Sequence, residues 1–135
     1  MALIQWDNSL SVGITEIDEQ HTRLVSIVNS LHEAMKSGKS KEAMGEILGS
    51  LINYTKSHFA FEEKYFDLYR YENAVSHKAE HKKLTDQVLD FQKKFNSGAV
   101  ALSVELMNFL SDWLKNHIKG EDKQYSKCFQ EHGMK

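Results

Sequence analysis

His77-Lys78-Ala79-Glu80-His81-Lys82-Lys83-Leu84 is the stretch whose reading decides the fold. Two histidines and a leucine fall at positions i, i+4 and i+7, with charged residues between them. That spacing puts the three on one face of an α-helix and the charges on the other. The stripe continues through Val88, Phe91 and Phe95, so a helix is predicted from about Ala74 to Phe95, ended by Asn96-Ser97-Gly98. The same 3.6-residue period recurs on both sides. Upstream, His58-Phe59-Ala60-Phe61-Glu62 repeats the i, i+4 pairing of chemical groups inside a stripe of Met44, Ile47/Leu48, Leu51, Tyr54/Thr55, His58, Phe61/Glu62 and Tyr65. This predicts a helix from about Lys41 to Tyr69. Before it, Ile17, His21, Leu24, Val28, Leu31 and Met35 define a helix from about Ile17 to Lys36, closed at Gly38. Thr15 followed by Asp18 resembles a cap at its start. After Gly98, Leu102, Leu106, Phe109/Leu110, Trp113/Leu114 and His117 define a helix from about Val100 to Lys119. Gly120 interrupts it, and a last amphipathic piece runs on to Phe129.

Four amphipathic helices with short breaks predict an all-α fold, an antiparallel up-down-up-down four-helix bundle. An N-terminal extended segment precedes it, with Trp6, Val12 and Ile14 available to pack on the core. The composition agrees. The 135 residues contain no proline, and 41% are hydrophobic. No repeat or low-complexity segment divides them, so one domain over 1–135 is expected. A net charge of −2 without a basic block excludes an electrostatic nucleic-acid surface. No apolar run approaches the ~20 residues of a membrane span, and MALIQWDNSL lacks the pattern of a signal peptide. The single Cys128 excludes an internal disulfide framework and suits a reducing cytosol, so a cytoplasmic protein is expected.

Every helix carries a histidine on its apolar stripe: His21, His58, His77 with His81, and His117. In an up-down bundle these positions all fall at one end, as does Glu62. A lone histidine on an apolar face is usually a hydrogen-bonded core residue. Five at one level are different, because burying several imidazoles and a carboxylate unpaired costs several kcal/mol each. A metal removes that penalty. Five imidazoles exceed one tetrahedral zinc site, and two adjacent ions fit the count better. Helix spacing leaves the last carboxylate open. Glu121 is four residues after His117, whereas Asp122 is five after and about 140° round an ideal helix.

The pattern resembles the hemerythrin family, in its single-domain bacterial form. The matching elements are Ile4-Gln5-Trp6, Val12-Gly13-Ile14, Ile17-Asp18-Glu19-Gln20-His21, His58-x3-Glu62, His77-x3-His81 and Trp113-Leu114-Lys115-Asn116-His117-x4-Asp122, spread over essentially the whole chain. The resemblance implies Asp122 as the seventh ligand, with Glu121 a solvated neighbour and Gly120 permitting the local adjustment. It implies two iron ions cycling between Fe2+ and Fe3+. One would be saturated by His77, His81 and His117, and the other held by His21 and His58 with an open position. Glu62, Asp122 and an oxo or hydroxo group would bridge them. It further implies reversible binding of dioxygen, for carriage, storage or delivery, and no enzymatic turnover. Leu114 would line the oxygen pocket, with Trp113 and Leu24 as neighbours. The ligand set argues the same way. Ferritin-like di-iron oxidases use four carboxylates and Glu-x-x-His pairs, and this chain has no such pair. A sensor module, a di-iron peroxidase or oxidase, and iron storage are the competing readings. No linker or output segment is read in these residues, so carriage is expected over sensing. A monomer is expected, with no nucleic-acid or membrane partner. His32 lies three turns from His21, and His132 lies in the tail. Glu33, Glu63, Asp67, Glu80 and Asp86 are expected on solvated faces. Tyr54, Phe61 and Tyr65 are expected in the core or the pocket wall, and Cys128 half-buried.

Overall fold

A computed structural model describes residues 4–98 and 104–134, leaving aside the side chains of 104–106 and 121. Helix α1 spans Thr15–Lys36, α2 Lys41–Leu68, α3 Ala74–Asn96, α4 Val104–Asn116 and α5 Lys123–Glu131. The predicted start at Val100 and the stripe positions Leu102 and Leu106 lie outside what is described. The short connections after α1 and α2 force each following helix back along its predecessor, which makes the bundle antiparallel. Among the described residues there is no β-strand, and no helix is long and apolar enough to cross a membrane.

The helix ends follow backbone chemistry. Gly38 takes φ 69° and lets Lys39 N–H donate to Ala34 O, which closes α1. Ser40 caps α2 by accepting from Ala43 N–H. The cap expected at Thr15 does not form. Ile14 occupies the cap position without a side-chain bond, and Thr15 is the first helical residue. Asp18 instead reaches back out of the helix, accepting from Val12 N–H at 2.8 Å and Ser11 Oγ at 2.6 Å. It thereby fastens the N-terminal segment to α1. That segment contains a short 3₁₀ turn at Asn8–Leu10 and buries Ile4, Leu10, Val12 and Ile14. Asn29 of α1 holds its start through both the N–H and the carbonyl of Ile4.

Gly120 does not break the last helix. The chain stays helical from α4 into α5 through one widened π turn, His117–Asp122. The α5 segment then returns Tyr125 and Phe129 to the core, both fully buried. Ser126 Oγ donates to Val12 O and Gln130 Nε2 to Gly13 O, tying α5 to the N-terminal segment.

Candidate metal centre

The centre is built from one turn of each bundle helix. On α1, Ile17, His21 and Leu24 share the inward face. On α2, His58 and Glu62 are one turn apart, as are His77 and His81 on α3. His117 opens the π turn that follows α4, and Asp122 closes it. All seven side chains are buried, none more than 5% exposed. The expected convergence is present in full. His77, His81, His117 and Asp122 form one group of possible metal donors, and His21, His58, Glu62 and Asp122 form a second, with the donor atoms of each group within 4.8 Å of one another.

The two carboxylates lie between the groups. Asp122 Oδ1 is 2.9 Å from His77 Nε2 and 3.1 Å from His117 Nε2, while its Oδ2 is 3.0 Å from His21 Nε2. Glu62 Oε1 is 3.3 Å from both His58 Nε2 and His81 Nε2. The π turn explains the Asp122 position. In a turn of i→i+5 bonding, the residue five along comes back over the first, so Asp122 shares His117's inward face. Gly120 is not what permits this. It has no left-handed φ, and a Cβ there would meet nothing within 4 Å. The side chain of Glu121 lies outside the described residues.

His77 Nε2 and His117 Nε2 approach to 3.1 Å. Among the described residues, His21 Nε2, His81 Nε2, Glu62 Oε1 and Asp122 Oδ1 are buried without a hydrogen-bond partner. Orphaned lone pairs facing one another at this depth are strongly destabilising unless a cation lies between them. The donor set therefore fits metal ions. Electrostatics prepare it. Desolvation pushes His58 and His81 down to about 4, against the raising effect of Glu62 on the first and Glu63 on the second. Both are neutral imidazoles at pH 7, the form that binds metal. Burial of Asp122 opposes its ionisation, but the charge of His117 and the close approach of the His117, His21 and His77 rings hold it well below the usual carboxylate range.

An aromatic and aliphatic wall encloses the donors. Phe59 stacks on His81 with ring centroids 3.7 Å apart, and Trp113 stacks on His117 at 4.4 Å. One turn inward lies an apolar cavity of about 30 Å³ lined by Leu24, Val28, Leu51, Thr55, Phe59, Leu84, Val88, Leu110, Trp113 and Leu114. Each helix contributes the residue three positions inward of its histidine: Leu24, Thr55, Leu84 and Leu114. The cavity is large enough for one small molecule, and its apolar lining disfavours water. Leu24, Trp113 and Leu114 thus all border the same space.

Three contacting side chains were not foreseen from the residue pattern. Tyr125 Oη donates to Glu62 Oε2. Gln20 Oε1 accepts from His58 Nδ1, and Glu63 Oε2 accepts from His81 Nδ1. Glu63 was expected on a solvated face, but only about a third of its side chain is exposed and its carboxylate is committed to His81. Its neighbour Glu62 is an inward donor, which is the one local signal that could have drawn notice. His32 belongs to neither donor group. His132 stacks on Tyr69 and bonds the Cys128 carbonyl, away from the site.

Residues 12–128 match the family model described as the hemerythrin HHE cation binding domain. The chain belongs to the hemerythrin family. It is 39% identical to a bacteriohemerythrin of Stenotrophomonas maltophilia over 93% of this chain and 81% of that one. It is 36% identical to a bacteriohemerythrin of Methylococcus capsulatus over 95% and 98% of the two chains. Its fold superposes on the crystal structure of a wild-type hemerythrin with a TM-score of 0.90, at 35% identity over 94% of this chain and 98% of that one. The hemerythrin fold is thus a helical bundle with a metal-binding site, and the buried donor groups lie where a bundle holds such a site.

Proposed function

We propose that this hemerythrin binds dioxygen reversibly at a pair of iron ions, in the service of oxygen carriage, storage or delivery. The observation that carries the reading is the sharing of Asp122 by two buried donor groups directly beside a small cavity with an apolar lining. His77, His81 and His117 would hold one ion, and His21 and His58 the other. Glu62 and Asp122 would bridge them, together with the oxo or hydroxo group that the resemblance implies. The contact distances support bridging, because each Asp122 oxygen faces a different group and Glu62 Oε1 faces one histidine of each. When bound, the iron pair supplies the two electrons that hold oxygen and are recovered on its release.

The chain's own side chains do the rest. His21 and His58 leave their ion with fewer protein donors than the other, so that side has room for a ligand. Leu24, Trp113 and Leu114 keep the adjoining space free of water, which protects a bound oxygen species from being displaced. Tyr125 holds the outer oxygen of Glu62. Burial and the charges of Glu62 and Asp122 push its phenol well above the ordinary value, so it remains a donor throughout the physiological range.

Oxygen added to anaerobic, Fe(II)-loaded protein is expected to raise a visible charge-transfer band that disappears when the oxygen is removed. Irreversible bleaching with substrate turnover would replace this reading with an oxidase or peroxidase. A protein that takes up a single zinc ion in preference to iron, and stays colourless, would overturn it.

A further inference from the structure

His58 and His81 have their second ring nitrogens engaged by different chemistry. His58 Nδ1 lies 2.6 Å from Gln20 Oε1, and His81 Nδ1 lies 3.0 Å from Glu63 Oε2. An oxygen acceptor at Nδ1 places the proton there and leaves Nε2 as the lone-pair donor. Both Nε2 atoms then face inward, toward Glu62 Oε1. The acceptors differ in charge. A neutral amide backs the His21/His58 group, where His21 Nδ1 has no hydrogen-bond partner among the described residues. A carboxylate backs the His77/His81/His117 group. A carboxylate draws the imidazole proton toward itself more strongly than an amide does, which makes the ring a better donor to a cation.

Glu63 is placed for this role and for no direct one. It follows Glu62 by one residue, about 100° round α2. Glu62 therefore points into the cluster while Glu63 meets the outer edge of His81. Its side chain is 34% exposed and borders an open groove of about 390 Å³ with Lys56, Lys78 and Lys82. Lys78 and Lys82 are paired with Asp67 and Asp86, so solvent is what compensates the Glu63 carboxylate, and it reaches the site through His81.

We propose that Glu63 is a positioning residue that, acting through His81, makes the two metal subsites unequal. The His77/His81/His117 subsite gains affinity for a divalent cation and holds its oxidised state more strongly. Gln20 leaves the His21/His58 subsite without that gain. The inference rests on the two-metal reading above.

The test is an anaerobic titration of metal-free protein with Co(II), followed by its visible spectrum, in wild type, Glu63→Gln and Gln20→Glu. Wild type is expected to take up two ions in two distinguishable steps. Glu63→Gln keeps the size and the hydrogen bond but not the charge. It is expected to weaken the tighter step about 10-fold and leave the other unchanged. Gln20→Glu should tighten the weaker step. The reduction potential of the iron-loaded protein should rise in Glu63→Gln by about 59 mV for a tenfold loss of preference for the oxidised ion. Metal-free Glu63→Gln should melt where metal-free wild type does, which separates this role from a structural one. Wild-type affinities and potential in Glu63→Gln would overturn the inference while leaving the two-metal reading intact. Equal weakening of both steps would also overturn it. A wild-type protein that binds fewer than two ions would defeat the two-metal reading itself.

Discussion

Leu114 occupies the position three residues before His117 and borders the cavity beside the donors, only 7% exposed. On the proposed reading its isobutyl group keeps water from the space next to the centre. Leu114→Ala removes that bulk and enlarges the cavity toward the size at which several waters can be held. The expected result is autoxidation several-fold faster than in wild type, followed as loss of the oxygen-dependent band in air. Stability should fall by about 2–5 kcal/mol, as for other buried leucine truncations. Unchanged autoxidation despite that loss would assign Leu114 to packing alone. At this same scale the five histidines and Glu62 were legible because such side chains are conspicuous on an apolar stripe, whereas Asp122 came only from the family resemblance. Glu63, Gln20 and Tyr125 were not legible. Their side chains are ordinary for a helix surface or an aromatic core, and only their partners give them meaning.

The π turn at His117–Asp122 is the element on which the site's geometry depends. On an ideal α-helix Asp122 would lie about 140° from His117, so helical periodicity favours Glu121. Widening one turn brings the fifth residue over the first and lets α5 continue without a break. A local glycine suggests a reason for the widening, yet Gly120 has open space at its Cβ position and an ordinary φ. Gly120→Ala is therefore expected to keep full metal content and to gain about 0.5–1 kcal/mol from helix propensity, read as a rise in melting temperature. Loss of one metal ion in that variant would show that the bare Cα is required after all. The stripes of the longer helices were readable to within two residues at the ends the structure describes. The widened turn was not, because no residue type encodes it. On either side of it the chain is fixed by burial, with Asp122 at its end and Tyr125 and Phe129 of α5 in the core.

The whole molecule keeps a polar cluster inside an apolar bundle, and the metal-free protein bears the consequence. His58 and His81 fall from the ordinary 6.5 to about 4, desolvation being the largest cause. Between those values the unfolded chain binds more protons than the folded one, so stability falls as pH is lowered through that window. Above pH 6.5 both states carry these two imidazoles neutral, and they add no slope. The loss is on the order of 3 kcal/mol for each histidine between pH 6.5 and 4. Thermal melts of metal-free protein should show the melting temperature dropping steeply over that range. A flat profile would mean that the two rings are hydrated in the metal-free state.

The sequence by itself determined the helices, the end of the bundle where five histidines and Glu62 meet, and the apolar residues one turn inward. These follow from periodicity and from the antiparallel path that short loops impose. By family resemblance it also pointed to Asp122. Only the tertiary structure decided how Asp122 reaches the site, and which groups stand behind the donors. Tyr125 and Glu62 are 63 residues apart in the chain, and His58 and Gln20 are 38 apart. Such pairs arise from the rotation and offset of one packed helix against another. The chain's local pattern does not contain that relation, and close packing of the whole core settles it.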